Sequence, residues 1–130
     1  MGIGHFFGAM PAGLTDASRR VGVDFDSNST MIAKLLYPKA HIITSPFEKS
    51  KLPTGYFDLV VGNVPFGDIR IADSRYPAAV TRRIHDYFIV RSIDLAKPGV
   101  GLVAVITSAG SMNKLDDGIR RRIYAQADLI

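Results

Sequence analysis

Hydrophobic and polar positions follow one another along this chain in two rhythms. Four short stretches are rich in β-branched and other apolar residues: Arg20–Phe25 (RVGVDF), His41–Thr44 (HIIT), Tyr56–Gly62 (YFDLVVG) and Gly101–Thr107 (GLVAVIT). Runs of this length, bounded by Gly, Pro and polar clusters, predict strands. Between them the apolar residues recur at helical spacing. Ser29–Tyr37 predicts a helix with Met31, Ile32, Leu35 and Leu36 on one face, Asp26 or Ser27 as its N-cap and Pro38 as its stop. Thr81–Lys97 predicts a longer one, with Ile84, Tyr87, Phe88 and Leu95 on one face and Ile89 and Ile93 on the other. Pro98-Gly99 ends it. A last helix is predicted over Asp116–Ala127, and an irregular loop around Pro77 over 67–80.

Strands that alternate with helices and lack a polar face imply a parallel sheet covered on both sides. The expected fold class is therefore α/β, with a doubly wound, mostly parallel sheet. In such sheets ligands sit at the carboxyl ends of the strands. That draws attention to Asn63-Val64-Pro65-Phe66, which follows the run Phe57–Val61 at such an end.

Composition narrows the field. The chain has 130 residues, 47% hydrophobic and 22% charged, which suits one globular domain and not a disordered segment. No apolar run approaches the ~18 residues of a membrane span, and no leader pattern opens the chain. The absence of cysteine removes disulfides, thiolate metal sites and thiol nucleophiles, and no metal site is expected. The default expectation is a cytoplasmic protein. Sixteen Lys and Arg against twelve Asp and Glu give a net charge of +4, compatible with a polyanionic partner without requiring one. Arg120–Arg122, Arg82–Arg83 and Lys49/Lys51 read by default as solvated faces.

Three features carry candidate chemistry. Gly2-Ile3-Gly4 and Gly8 form a glycine-rich start that either lets a ligand approach the backbone or makes a plain turn. Asp24, twenty positions after Gly4, stands at a strand end, where a carboxylate can accept from both ribose hydroxyls of a nucleoside cofactor. Phe25 beside it offers a face for adenine. The competing reading makes Asp24 a capping acid. The third is the tetrapeptide. An exocyclic ring amine is a poor nucleophile until its two N–H bonds are accepted, and Asn63 Oδ1 with the Val64 carbonyl form a candidate acceptor pair. Pro65 biases Val64 to an extended conformation, and Phe66 would stack on the flat ring. An ordinary proline-containing loop after a strand is the alternative.

In the context FDLVVGNVPFGD, and together with GIGHFFGAMP, GVDFDSNSTMIAKLLYP, IHDYFIVRSIDLAKPG and VAVITSAGSM, the tetrapeptide resembles motif IV of the S-adenosylmethionine-dependent DNA N6-adenine methyltransferases. The similarity is to the bacterial and phage type found in large helicase-associated proteins, and it extends over nearly the whole chain. It implies a Rossmann-like class I methyltransferase fold, S-adenosylmethionine as cofactor and DNA as partner. A helicase region of the same larger polypeptide is a further implied partner. It assigns Asn63, Val64, Pro65 and Phe66 to catalysis, Gly2 and Gly4 to the methionine moiety, Asp24 to the ribose and Phe25 to the adenine. Phe47 or Glu48 would take the adenine amine. His85 and Asp86 match a segment of the subgroup and are expected to face solvent or cap a helix. Methylation of an RNA guanine amine or a protein glutamine amide is the alternative chemistry, and a non-catalytic nucleic-acid-binding remnant the alternative class. The family's strand and acidic residue before the glycines have no counterpart here, so 1–130 is expected to be a partial catalytic domain, truncated at both ends.

Overall fold

The computed structural model describes residues 1–107 and 117–130. The chain divides into two compact units, Met1–Lys51 and Leu52–Ile130.

In the first unit, α1 (His5–Gly8) and α2 (Ala12–Ala17) precede β1 (Val21–Asp24), α3 (Ser27–Leu36) and β2 (His41–Thr44), and a single 3₁₀ turn spans Phe47–Lys49. The strands pair in parallel with Val21 opposite His41 and Asp24 opposite Thr44. The crossover between them is α3, a connection of the kind parallel neighbours require. Asp26 caps it, its carboxylate accepting from the Asn28 amide at 3.2 Å and the Ser29 amide at 3.0 Å. The face of α3 that packs is not the expected one. Thr30 and Ala33 are buried, the Thr30 hydroxyl lying 2.8 Å from that of Thr44, whereas Met31, Ile32, Leu35 and Leu36 are all exposed.

The glycines of the first turn have a packing reason. Gly4 adopts φ +92°, and a Cβ built on it would stand 2.6 Å from the ring of Tyr37. One on Gly8 would meet the Tyr37 hydroxyl at 2.9 Å. The two glycines, one the N-cap of α1 and the other its last residue, clear a slot for that ring, which also meets Phe7 edge-on at 5.5 Å.

The second unit holds β3 (Leu59–Asn63), α4 (Ala78–Thr81), α5 (Ile84–Leu95), β4 (Leu102–Ile106) and α6 (Asp117–Gln126). Again the strands are parallel, Leu59 opposite Leu102 and Asn63 opposite Ile106. The expected long helix is broken at Arg82-Arg83, because Arg83 is extended (φ −129°, ψ 133°) and serves as the N-cap of α5. That helix forms the centre of the unit. Tyr87, Val90 and Leu95 are essentially fully buried, and Ile84, Ile89 and Asp86 nearly so. Asp86 thus lies buried in the first turn of α5, where a negative charge is favoured by the helix dipole; of the two roles expected of it, facing solvent is excluded and a place at the helix start is kept.

The fold class needs correction. A doubly wound sheet is continuous across its switch point, but here the strands form two separate two-stranded sheets, and among the described residues none pairs β1 with β3. The structure therefore contains parallel strand–helix–strand pairs without the Rossmann-like sheet. Ser108–Met112 of the quoted VAVITSAGSM run, and the expected helix start at Asp116, lie outside the described residues.

The packing of Gly4 generates a test. Gly4→Ala places a methyl group in the left-handed region and against Tyr37, and should destabilise by roughly 1–3 kcal/mol. Gly13→Ala, within α2 and with open space around its Cβ, should be neutral or stabilising by about 0.5–1 kcal/mol. Urea denaturation of the two variants gives the comparison.

Candidate functional sites

Each unit carries one group of the expected site residues. In the first, Gly2, Gly4, Asp24 and Phe25 gather at the carboxyl end of β1. The Asp24 side chain is only 16% exposed and its oxygens are engaged. Oδ2 accepts from the Met1 ammonium at 2.7 Å and from the Gly2 amide at 2.7 Å, and Oδ1 accepts from the Asp26 amide at 3.0 Å. Partial burial works to raise its pKa, but these hydrogen bonds outweigh it and hold the carboxyl below its ordinary value. Asp24 is therefore the clasp that folds the glycine turn onto β1. Oδ1 accepts a single bond, which leaves it acceptor capacity for a further donor. Phe25 is 78% exposed beside it. Phe47 and Glu48 lie in the 3₁₀ turn after β2, both partly exposed, with the Phe47 carbonyl accepting from the buried Ser50 hydroxyl at 2.6 Å.

In the second unit, the tetrapeptide is anchored at one residue and open at two. Val64 is buried, and its amide extends the strand ladder by donating to the Ile106 carbonyl at 2.9 Å. Asn63 and Phe66 are exposed, Phe66 to 64%, and Pro65 lies between them half-buried. The fixed backbone at Val64 thus presents an amide side chain and a bare aromatic ring on one short segment. Such a pair can bond to the edge of a flat heterocycle and stack on its face.

The polar network that organises this unit was not singled out from sequence. Arg91, on α5, is 2% exposed and donates to the Leu52 carbonyl at 3.1 Å and the Tyr76 hydroxyl at 3.4 Å. Tyr76 meets Tyr87 edge-on at 5.4 Å, and the Tyr87 hydroxyl donates to Asp73 at 2.7 Å. Arg75 closes the chain on the same carboxylate at 2.7 Å. Hydrogen bonds from Arg75 hold Asp73 far below the usual carboxylate range, against the effect of burial. Burial, and then the bond to Asp73, push the Tyr87 phenol well above its ordinary value. Arg122, expected on a solvated face, instead packs over the Tyr76 ring and approaches Asp94 at 3.9 Å. Of its members, the sequence pattern marks only Tyr87, on the apolar face of the long helix.

No family model matches the chain, and no solved structure matches it. A curated protein does. The chain is 33% identical over 139 residues to Defense against restriction protein B of Escherichia phage P1, an alignment that takes in 99% of this chain and 6% of that protein. This overturns the resemblance to the DNA N6-adenine methyltransferases. The relative is named for defence against restriction and not for methylation. Methyl transfer to adenine, its RNA and glutamine alternatives, the remnant reading and the description of the chain as a transferase lose their support together. Among the described residues, no helix is long and apolar enough to cross a membrane.

The Asp73 cluster makes a pH dependence explicit. Because the folded-state pKa of Asp73 is depressed, its contribution to stability is fully present above the unfolded value of about 4 and is lost as pH falls through the lower folded value. Asp73→Asn should therefore be less stable than wild type at pH 7, with the gap shrinking below about pH 4. Tyr87→Phe should cost roughly 1.5–3 kcal/mol, as for a hydrogen bond to a charged group. Denaturant melts at pH 7 and pH 3 read both effects; a gap independent of pH would remove Asp73 from the network.

Proposed function

We propose that this chain serves in defence against restriction by engaging DNA through the strand end at Asn63–Phe66. The observation that carries the reading is the alignment of nearly its whole length with a protein named for that defence. The exposed Asn63 and Phe66, held by the buried Val64, supply the chemistry. A base displaced from its pair would stack on Phe66 and bond to the Asn63 amide, while the net charge of +4 favours a polyanion. A cytoplasmic location belongs to the same proposal. So does a helicase region on a larger polypeptide, which would deliver unwound strands to this end.

In a binding titration by fluorescence anisotropy, Phe66→Ala should weaken association with a duplex carrying one unpaired adenine by about 1–3 kcal/mol. Binding to the fully paired duplex should change little. Asn63→Ala should narrow the preference for adenine over thymine at the unpaired position. Equal affinities of wild type and Phe66→Ala for both duplexes would remove this site. In cells, transfer of unmodified plasmid into a restricting host should be more efficient when the gene encoding this chain is expressed, and less so for Phe66→Ala.

The first unit enters the proposal as a nucleoside-binding turn of the S-adenosylmethionine class, with no transfer step attached. Its support is the strand-end Asp24 beside the uncovered Phe25. Asp24→Asn should lower affinity for S-adenosylmethionine by roughly 1.5–3 kcal/mol in titration calorimetry, the range for hydrogen bonds to a charged group. An unaltered isotherm would leave Asp24 with its role as a backbone clasp alone.

A further inference from the structure

We infer that a cavity beside α4 is a phosphate site that takes the backbone of the bound DNA, an inference that rests on the DNA reading above. The cavity has a volume of about 270 Å³ and is lined by Arg70, Ala78, Thr81 and Arg82. The Ile71 amide donates to the Thr81 carbonyl at 2.9 Å, which ties the loop to α4 and brings Arg70 to the same space as Arg82. No carboxylate lines it. Among the described residues neither guanidinium makes an ion pair, in contrast to Arg75 with Asp73 at 2.7 Å and Lys97 with Asp58 at 2.6 Å.

Two uncompensated cations on one small space repel each other, and an anion between them is attracted to both. The guanidinium fork matches the oxygens of a phosphate, and the largely buried Thr81 forms part of the wall. A water claims roughly 30 Å³, so this space admits a phosphate with part of its sugar. Arg70, Ala78 and Arg82 are exposed, so the cavity opens at the surface and a continuous strand can pass. The loop that carries Arg70 begins at Phe66, with three residues between them. Base and backbone contacts would thus come from one unit.

The test is the double variant Arg70→Gln/Arg82→Gln in the full chain, with a single-stranded mixed-sequence oligonucleotide titrated at several salt concentrations. Loss of two phosphate contacts should weaken binding about tenfold at low salt and reduce the log–log salt slope by about 1.4, at 0.7 per contact. Each single variant should produce about half that change in slope. Lys34→Gln/Lys39→Gln removes the same charge from the other unit and should leave the slope unaltered. An unchanged slope in the arginine variant, or an equal change in the lysine variant, overturns the site. Inorganic phosphate titrated calorimetrically should bind only weakly to wild type and not to the arginine variant. If it binds as tightly as the oligonucleotide, the cavity holds a free anion and the backbone assignment fails. Phe66→Ala should leave the salt slope intact, so the cavity and the base site fail separately. A wild-type chain that binds no oligonucleotide overturns both.

Discussion

A pair of parallel strands meets only half of its own backbone hydrogen-bonding capacity, and both sheets of this protein are such pairs. The outer edges and both faces of a two-stranded ladder must be stabilised by something else, because a lone pair is marginal in water. In the second unit that role falls to α5. Its apolar residues are buried almost all round, and it is the element on which β3, β4, α4 and α6 converge. The position of Val64 follows. Its amide bonds to Ile106 because β3 and β4 run in register to their last residues, and the tetrapeptide inherits its geometry from that register.

The buried cation on the same helix raises the stakes. Removing Arg91 from water is costly unless its donors are met, and a half-satisfied group costs more than an apolar one of the same shape. The Leu52 carbonyl and the Tyr76 hydroxyl meet the two guanidinium ends, while the buried Nε has no partner among the described residues. Leu52 lies at the start of the unit and Tyr76 in the loop before α4, so one side chain fixes two segments that no strand ladder holds. Tyr87 extends the same control to Asp73 and Arg75. The loop from 67 to 77 is irregular by any measure of backbone repetition, yet its polar groups bind it to the helix core.

How much of this was legible depends on whether the deciding interaction is local. The cap at Asp26 is local, and the helix it starts was found with its boundary displaced by two residues. The strands His41–Thr44 and Leu102–Ile106 were found because short apolar runs between turn signals have few alternatives. The orientation of α3 was not. Met31, Ile32, Leu35 and Leu36 form the more apolar stripe, but the helix turns the small Thr30 and Ala33 inward, with the Thr30 hydroxyl 2.8 Å from that of Thr44 on β2. The burial of Arg91 and Asp86 was equally hidden, since a charged residue on a helix is exposed by default and only its tertiary partners can reverse that. The glycines of the first turn looked like a ligand loop, and two of them, Gly4 and Gly8, turn out to clear a slot for Tyr37 at the far end of α3.

The misreading of the tetrapeptide as a mark of methyl transfer has the same origin. A strand end that carries an amide, a fixed extended residue, a proline and an aromatic ring is a device for presenting one polar edge and one flat face. Nothing in those four residues specifies what would be done to a ring placed against them, because a reaction also needs a donor aligned with it, and the alignment belongs to the surrounding fold. Here the surrounding sheet is a separate two-stranded pair, and the acid expected to orient a cofactor is bonded to the chain's own Met1 and Gly2. What survives this correction is the presentation itself. Val64 is buried by the register of the ladder while Phe66 stays bare, an arrangement that leaves apolar ring surface in water. That exposure costs little for a single residue, and a π-face that meets a base gains it back with a specificity that a covered ring could not supply.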